Sequence, residues 1–126
     1  MRRQSILSQA EWQIMELLWE KPATLMELVA ELSRTTSWTK STIATMVRRM
    51  EEKGVLTHED RGRAKLFVPA VSREEAAVQE TQSLLRRAYH GSVGLLVSTM
   101  AQQNSLTKGD IDELYEILRK AEEEAK

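Results

Sequence analysis

No cysteine occurs in the 126 residues. That excludes a disulfide framework, a thiolate zinc site, an iron–sulfur cluster and a cysteine nucleophile. Two prolines and five glycines leave little room for a β-rich or disordered chain. No apolar run approaches the roughly 20 residues that a membrane-spanning helix needs. The start, Met1 to Ser8, carries two arginines without the apolar stretch of a signal peptide behind them, so the expected location is the cytoplasm. Glycine-rich phosphate loops and a recognisable Ser/His/Asp frame are also missing. The two histidines, His58 and His90, fall in a predicted strand and at a predicted helix end, where a surface role outweighs that of ligand or base. The pairs Glu51-Glu52 and Glu74-Glu75 fall on helix surfaces, where solvation accounts for them. The sequence therefore reads as non-enzymatic, with no catalytic set, no metal site and no cofactor.

What is present is unevenly placed. The formal net charge is -1, but residues 34–70 hold eight Lys/Arg against four Asp/Glu, while the segments on either side are acidic, at -2 and -3. A basic middle between acidic flanks is what a face meeting a polyanion requires. The pI of 6.2 is far below that of a wholly basic domain, so charge alone leaves a merely solvated surface equally open.

The residue pattern predicts a mainly α chain. Ser8-Gln9-Ala10-Glu11 is a capping box opening a helix with Trp12, Met15, Leu18 and Trp19 at helical spacing, stopped near Glu20 by Pro22. Thr24 to Glu27 is a second box, before a short helix with Leu25, Leu28, Val29 and Leu32. After a polar loop over 33–37, a third helix is predicted from Thr39 to Lys53, with Ile43, Met46, Val47 and Met50 inward and Gly54 as a left-handed cap. Strands are expected over 55–59 and 64–68, with Asp60 to Arg63 as the turn. Three helices followed by a hairpin is the winged helix-turn-helix order. Trp12, Trp19 and Trp38, like Met15, Met26, Met46, Met50 and Met100, read as packing residues.

The last third is helical again. A third box at Ser72-Glu75 opens a helix to about Tyr89. A short apolar segment runs from Val93 to Met100, and a last helix starts at Thr107, with a frayed end over 122–126. Leu106 and Ile111 are spaced for a hydrophobic staple. Leu84, Leu85, Ala88, Tyr89, Leu96, Val97, Met100, Ile111, Leu114, Tyr115 and Leu118 form apolar stripes that one thin layer of about 55 residues cannot bury, since so small a core rarely stabilises itself. We expect a winged-helix domain over 1–71 and a helical dimerisation domain over 72–126. Packing back onto the first domain in a monomer is the alternative.

The outward face of the third helix carries Lys40, Ser41, Ala44, Thr45, Arg48 and Arg49. Small residues admit a backbone approach, hydroxyls reach base or phosphate, and arginines reach phosphates or guanine edges. Thr39, Lys40, Ser41 and Thr42 lie at the positive end of the helix dipole. Arg61, Arg63 and Lys65 straddle the glycine turn, where they can clamp an adjacent backbone. A wet helix face and a solubilising hairpin are the plainer accounts of the same residues.

One longer pattern is specific. Ser8-x-Ala10-Glu11-Trp12-x-Ile14-Met15, then Leu18-Trp19, then Trp38-Thr39-x-x-Thr42-Ile43-x-Thr45-Met46-x-x-Arg49-x-x-x-Lys53-Gly54 resembles the penicillinase-repressor family (BlaI/MecI/CopY type), and the likeness runs over nearly the whole chain. The resemblance implies a homodimeric transcriptional repressor whose winged helix binds inverted repeats with TACA/TGTA cores and blocks polymerase. It assigns DNA contact to Thr39, Lys40, Ser41, Thr42, Thr45 and Arg49, with the wing at Arg61 to Lys65. It also implies a membrane sensor protease that relieves repression by cutting the short apolar helix, which aligns with Thr99-Met100 here. The Asn-Phe pair of the family's cleaved bond is not matched at those positions. Copper release through paired Cys-x-Cys motifs is excluded by the missing cysteines. A winged-helix protein-interaction module without sequence-specific DNA binding is the alternative function.

Overall fold

The structure, a computed structural model, describes residues 7–125. The signal-peptide reading of the first residues and the frayed position of Lys126 lie outside that range. Within it the order is α1 (Gln9–Glu20), β1 (Ala23–Thr24), α2 (Leu25–Leu32), α3 (Lys40–Lys53), β2 (Leu56–Arg61), β3 (Ala64–Pro69), α4 (Arg73–Tyr89), α5 (Val93–Gln103) and α6 (Lys108–Glu124). This is a winged helix-turn-helix followed by a helical part. The chain divides into two compact units, one ending at Ser83 and the other starting at Leu84, a boundary that falls inside α4.

The helix starts are dictated locally. At α1 the Glu11 N–H donates to Ser8 Oγ at 3.1 Å and the Ser8 N–H to Glu11 Oε1 at 2.9 Å. Thr24 with Glu27, and Ser72 with Glu75, close the same reciprocal pair at α2 and α4. Each box satisfies two backbone donors that the first turn otherwise leaves open. Pro22 prevents α1 from continuing, and Lys21 has already left the helix for extended backbone, with φ -164°.

The sheet has the order β1-β3-β2, antiparallel throughout. The two-residue strand β1 was not expected from the sequence. Only two pairs, Ala23 with Phe67 and Thr24 with Leu66, define it, too few to produce an alternating pattern. The hairpin is also longer than expected. Pairing continues from Leu56–Pro69 out to Arg61–Ala64, so Asp60 and Arg61 belong to the strand and the turn is Gly62-Arg63 alone. Gly62 has φ 63°, the left-handed first position that a two-residue hairpin of type II′ requires. Polar residues on a solvated strand had looked like turn residues.

The core of the first unit is drawn from every element around it. Ile14, Met15 and Leu18 of α1 meet Leu28 and Leu32 of α2, Ile43, Val47 and Met50 of α3, Val55 just before the hairpin, and Leu56 and Phe67 within it. Each such side chain contributes roughly 1.5–3 kcal/mol over its exposed state. Trp12, Trp19, Trp38 and Met46 are half-buried against this cluster, and the rings of Trp12 and Trp19 meet edge to face at 5.4 Å. The start of α4 is tied to α1: Trp19 Nε1–H donates to the Val71 carbonyl at 2.9 Å, and Arg73 forks onto Glu16 at 3.1 and 3.0 Å. The Glu16 carboxylate raises the Arg73 pKa, by the hydrogen bond first and its charge second.

In the second unit, Ser92 caps α5 and a Thr107–Asp110 box opens α6. The apolar segment from Val93 is the core of an 11-residue helix. The expected fraying over 122–125 is replaced by helix through Glu124, where Arg119 pairs with Glu116 one turn back and with Glu123 at 2.8 Å one turn ahead. Neither α5 nor α6 buries a residue.

Candidate nucleic-acid interface

Helix α3 is fixed at both ends by its own sequence. Thr39 Oγ1 accepts from the Thr42 N–H at 3.1 Å, and its hydroxyl donates to Thr42 Oγ1 at 3.1 Å. The Thr42 hydroxyl, having accepted one proton, has its own left to donate outward. At the other end Gly54 takes φ 89°, and the Val55 N–H returns to the Met50 carbonyl at 3.1 Å. Gly54 adopts a conformation that strains any residue bearing a Cβ.

Between these caps the helix has two faces. Ile43, Val47 and Met50 are buried. Lys40, Ser41, Thr42, Arg48 and Arg49 are exposed, with Ala44 and Thr45 half-buried among them. Thr45 lies four and three residues from Ser41 and Thr42, and three and four from Arg48 and Arg49, so it is the centre of one patch of hydroxyls and cations. The first amides of α3 add the positive end of the helix dipole beside Lys40.

The basic residues of 34–70 divide into two groups. Arg34 pairs with Glu31 at 3.6 Å, Arg48 with Glu52 at 3.4 Å and Lys53 with Glu11 at 2.7 Å. Lys40, Arg49, Arg61, Arg63 and Lys65 have no ion pair among the described residues. Two of these five are on α3 and three on the hairpin, all exposed. Asp60 stands opposite Lys65 in the ladder without forming an ion pair with it. Cations with no internal counterion are the ones free to neutralise phosphates and so release the counterions condensed on a nucleic acid.

His58 lies on β2, its Nδ1 2.5 Å from Glu51 Oε2 and its ring edge-on to Phe67 at 6.2 Å. It ties the hairpin to the last turn of α3. His90 has φ 51° before Gly91 at φ 83°, at the end of α4. The Lys53–Glu11 pair was not legible beforehand, because its partners are 42 residues apart. The Arg48–Glu52 pair could have been found from its i, i+4 spacing.

The apolar residues expected to join two copies lie as follows. Leu84, Ala88, Val97, Met100, Ile111, Tyr115 and Leu118 are exposed, and Leu85, Tyr89, Leu96 and Leu114 are half-buried. Thr99, half-buried, precedes Met100 within α5. Val93 and Leu95 of the apolar segment are exposed as well, as is Ile117, which follows Leu114 by three residues and widens the same stripe.

The family model for the penicillinase repressor matches residues 7–120. The chain belongs to the penicillinase-repressor family. The penicillinase repressor of Bacillus licheniformis is 32% identical over 113 residues, which are 89% of this chain and 88% of that protein. The methicillin resistance regulatory protein MecI of Staphylococcus aureus is 24% identical over 115 residues, 90% of this chain and 94% of that one. Among solved structures, the DNA-binding domain of the repressor BlaI is similar at 32% identity and a TM-score of 0.54, covering 60% of this chain and 93% of that domain. Monomeric B. licheniformis BlaI in complex with the blaP half-operator gives the same identity and coverage and a TM-score of 0.52. Among the described residues no helix is long and apolar enough to cross a membrane.

Proposed function

We propose that this family member is a homodimeric transcriptional repressor. Its reading domain, 1–71, holds an inverted-repeat operator through Thr39, Lys40, Ser41, Thr42, Thr45, Arg48 and Arg49 of the α3 region and through Arg61, Arg63 and Lys65 of the wing. The helical part, 72–126, joins two copies. The observation that carries this reading is the two-faced α3: its apolar stripe is locked into the core, while hydroxyls and cations, Lys40 and Arg49 among them without an ion pair among the described residues, face solvent beside a basic hairpin. A relative with 32% identity whose solved complex holds a half-operator supports it.

The mechanism follows from the chemistry. Wing cations and the α3 N-terminus grip phosphates and set the register. Thr45 and Arg49 present a hydroxyl, a methyl and a guanidinium to base edges. Two joined readers raise each other's effective concentration on a palindrome, with half-sites spaced by about one helical turn or a multiple of it. The occupied operator then excludes polymerase. Relief of repression by a sensor protease cutting at Thr99-Met100 in α5 completes the proposal. Co-expression with such a protease and inducer should shorten the chain at that bond, and an intact chain would remove this step.

The deciding experiment is a mobility shift on a duplex with an inverted TACA/TGTA repeat at two salt concentrations. The wild-type complex should weaken steeply with salt, because counterions are released on binding. Replacing both Thr45 and Arg49 by Ala should abolish the preference for the repeat while helicity is kept. Salt-indifferent binding would favour a protein-docking role instead.

A further inference from the structure

We propose that Glu11 is a positioning residue for the reading helix, acting through Lys53, and that Lys53 itself does not contact DNA. This rests on the reading of α3 as the DNA-contacting element. Glu11 is buried in α1, and its Oε1 accepts from two directions: the Ser8 N–H at 2.9 Å and Lys53 Nζ at 2.7 Å. The capping box therefore holds the same carboxylate oxygen that Lys53 meets. Lys53 is the last residue of α3 and only partly exposed, so the C-terminal end of the reading helix is latched to the N-terminal end of α1. A carboxylate serving only as a cap would need neither burial nor a partner from another helix.

The latch matters because of leverage. From Met50 to Thr42 the helix extends about 12 Å at 1.5 Å per residue. A tilt of about 10° at the C-terminal end therefore moves the reading residues by roughly 2 Å, well beyond the ~0.5 Å within which a binding constellation must be held. The buried stripe of Ile43, Val47 and Met50 packs the inward face of the helix, His58 holds Glu51 near its end, and the Lys53–Glu11 contact adds a charged restraint at the C-terminal residue itself. Sequence-specific contacts need the correct tilt, while phosphate contacts to any duplex tolerate error.

The test measures the full-length chain on the palindromic duplex and on a scrambled duplex of equal length, below the melting temperature and over a range of salt. Lys53→Met should lower the palindrome-to-scrambled affinity ratio by about tenfold, comparable to the loss of one base-pair contact, with the salt slope unchanged. Glu11→Gln, which keeps the cap acceptor, should move the ratio in the same direction. Adding it to Lys53→Met should cause no further loss, and Lys53→Arg should retain the wild-type ratio. A ratio unchanged by Lys53→Met while the melting temperature falls would make the pair a brace of the fold and overturn the proposal. So would losses that add in the double variant. Equal weakening on both duplexes with a shallower salt slope would make Lys53 a phosphate contact. A wild-type chain with no preference for the palindrome would overturn the proposed function, and the latch with it.

Discussion

The two units spend their apolar residues in opposite ways. In the first, Ile14, Met15, Ile43 and Met50 are 0% exposed, and helical stripes close on one another and on a hairpin. In the second, Leu118 is 62% and Tyr115 71% exposed, and α5 and α6 bury nothing. The helices of both units have sound caps and amphipathic patterns, so local sequence does not distinguish them. What differs is whether the chain itself supplies the facing surface. The first unit contains its own core. The second has helices whose apolar sides stay exposed, a surface of the kind that the proposed dimer would cover.

That contrast can be broken at its strong end first. Ile43→Ala should destabilise the first unit by about 2–5 kcal/mol, the cost of a cavity in a closed core, read as a lower melting temperature whatever the protein concentration. Leu118→Arg should leave the fold of a single chain intact and weaken dimerisation by about 2 kcal/mol, as a central interface residue does, read as a concentration-dependent shift in sedimentation. If Leu118→Arg instead lowers stability independently of concentration, the second unit is closed within one chain. Gly54→Ala should cost about 1 kcal/mol through backbone strain alone, since no atom lies within 4 Å of the Cβ it would add. The smallest effect separates neighbours on α3. Arg49→Ala should reduce the salt slope of DNA binding by about one. Arg48→Ala should change it less, because Glu52 already neutralises that side chain.

Much of the fold is legible in the residues. Ser8-Glu11, Thr24-Glu27 and Ser72-Glu75 announce helix starts because capping is a contact between near neighbours. Gly54 announces a stop because its backbone requirement is local. The stripe of Ile43, Met46, Val47 and Met50 identifies the buried side of α3, and so by subtraction its outward side. Strand β1 was not legible, since its partner, β3, is more than forty residues away and neither of its two pairs produces a period. The true length of β2 was hidden by Asp60 and Arg61, whose polarity suits a turn and a solvated strand equally. Within the candidate interface, residue type points to the cations but not to which are already neutralised. Counting charge over 34–70 treats Lys53 and Arg49 alike, whereas the fold gives Lys53 a buried carboxylate and leaves Arg49 on the surface.

If two outward reading helices are joined through helical tails that are incomplete alone, the full-length chain is a dimer before it meets DNA. Sedimentation equilibrium, free and on a palindromic duplex, should show a dimer without DNA and two chains per duplex with it. A monomer that loads one chain per duplex, with its affinity unaffected by the second half-site, would rule this arrangement out.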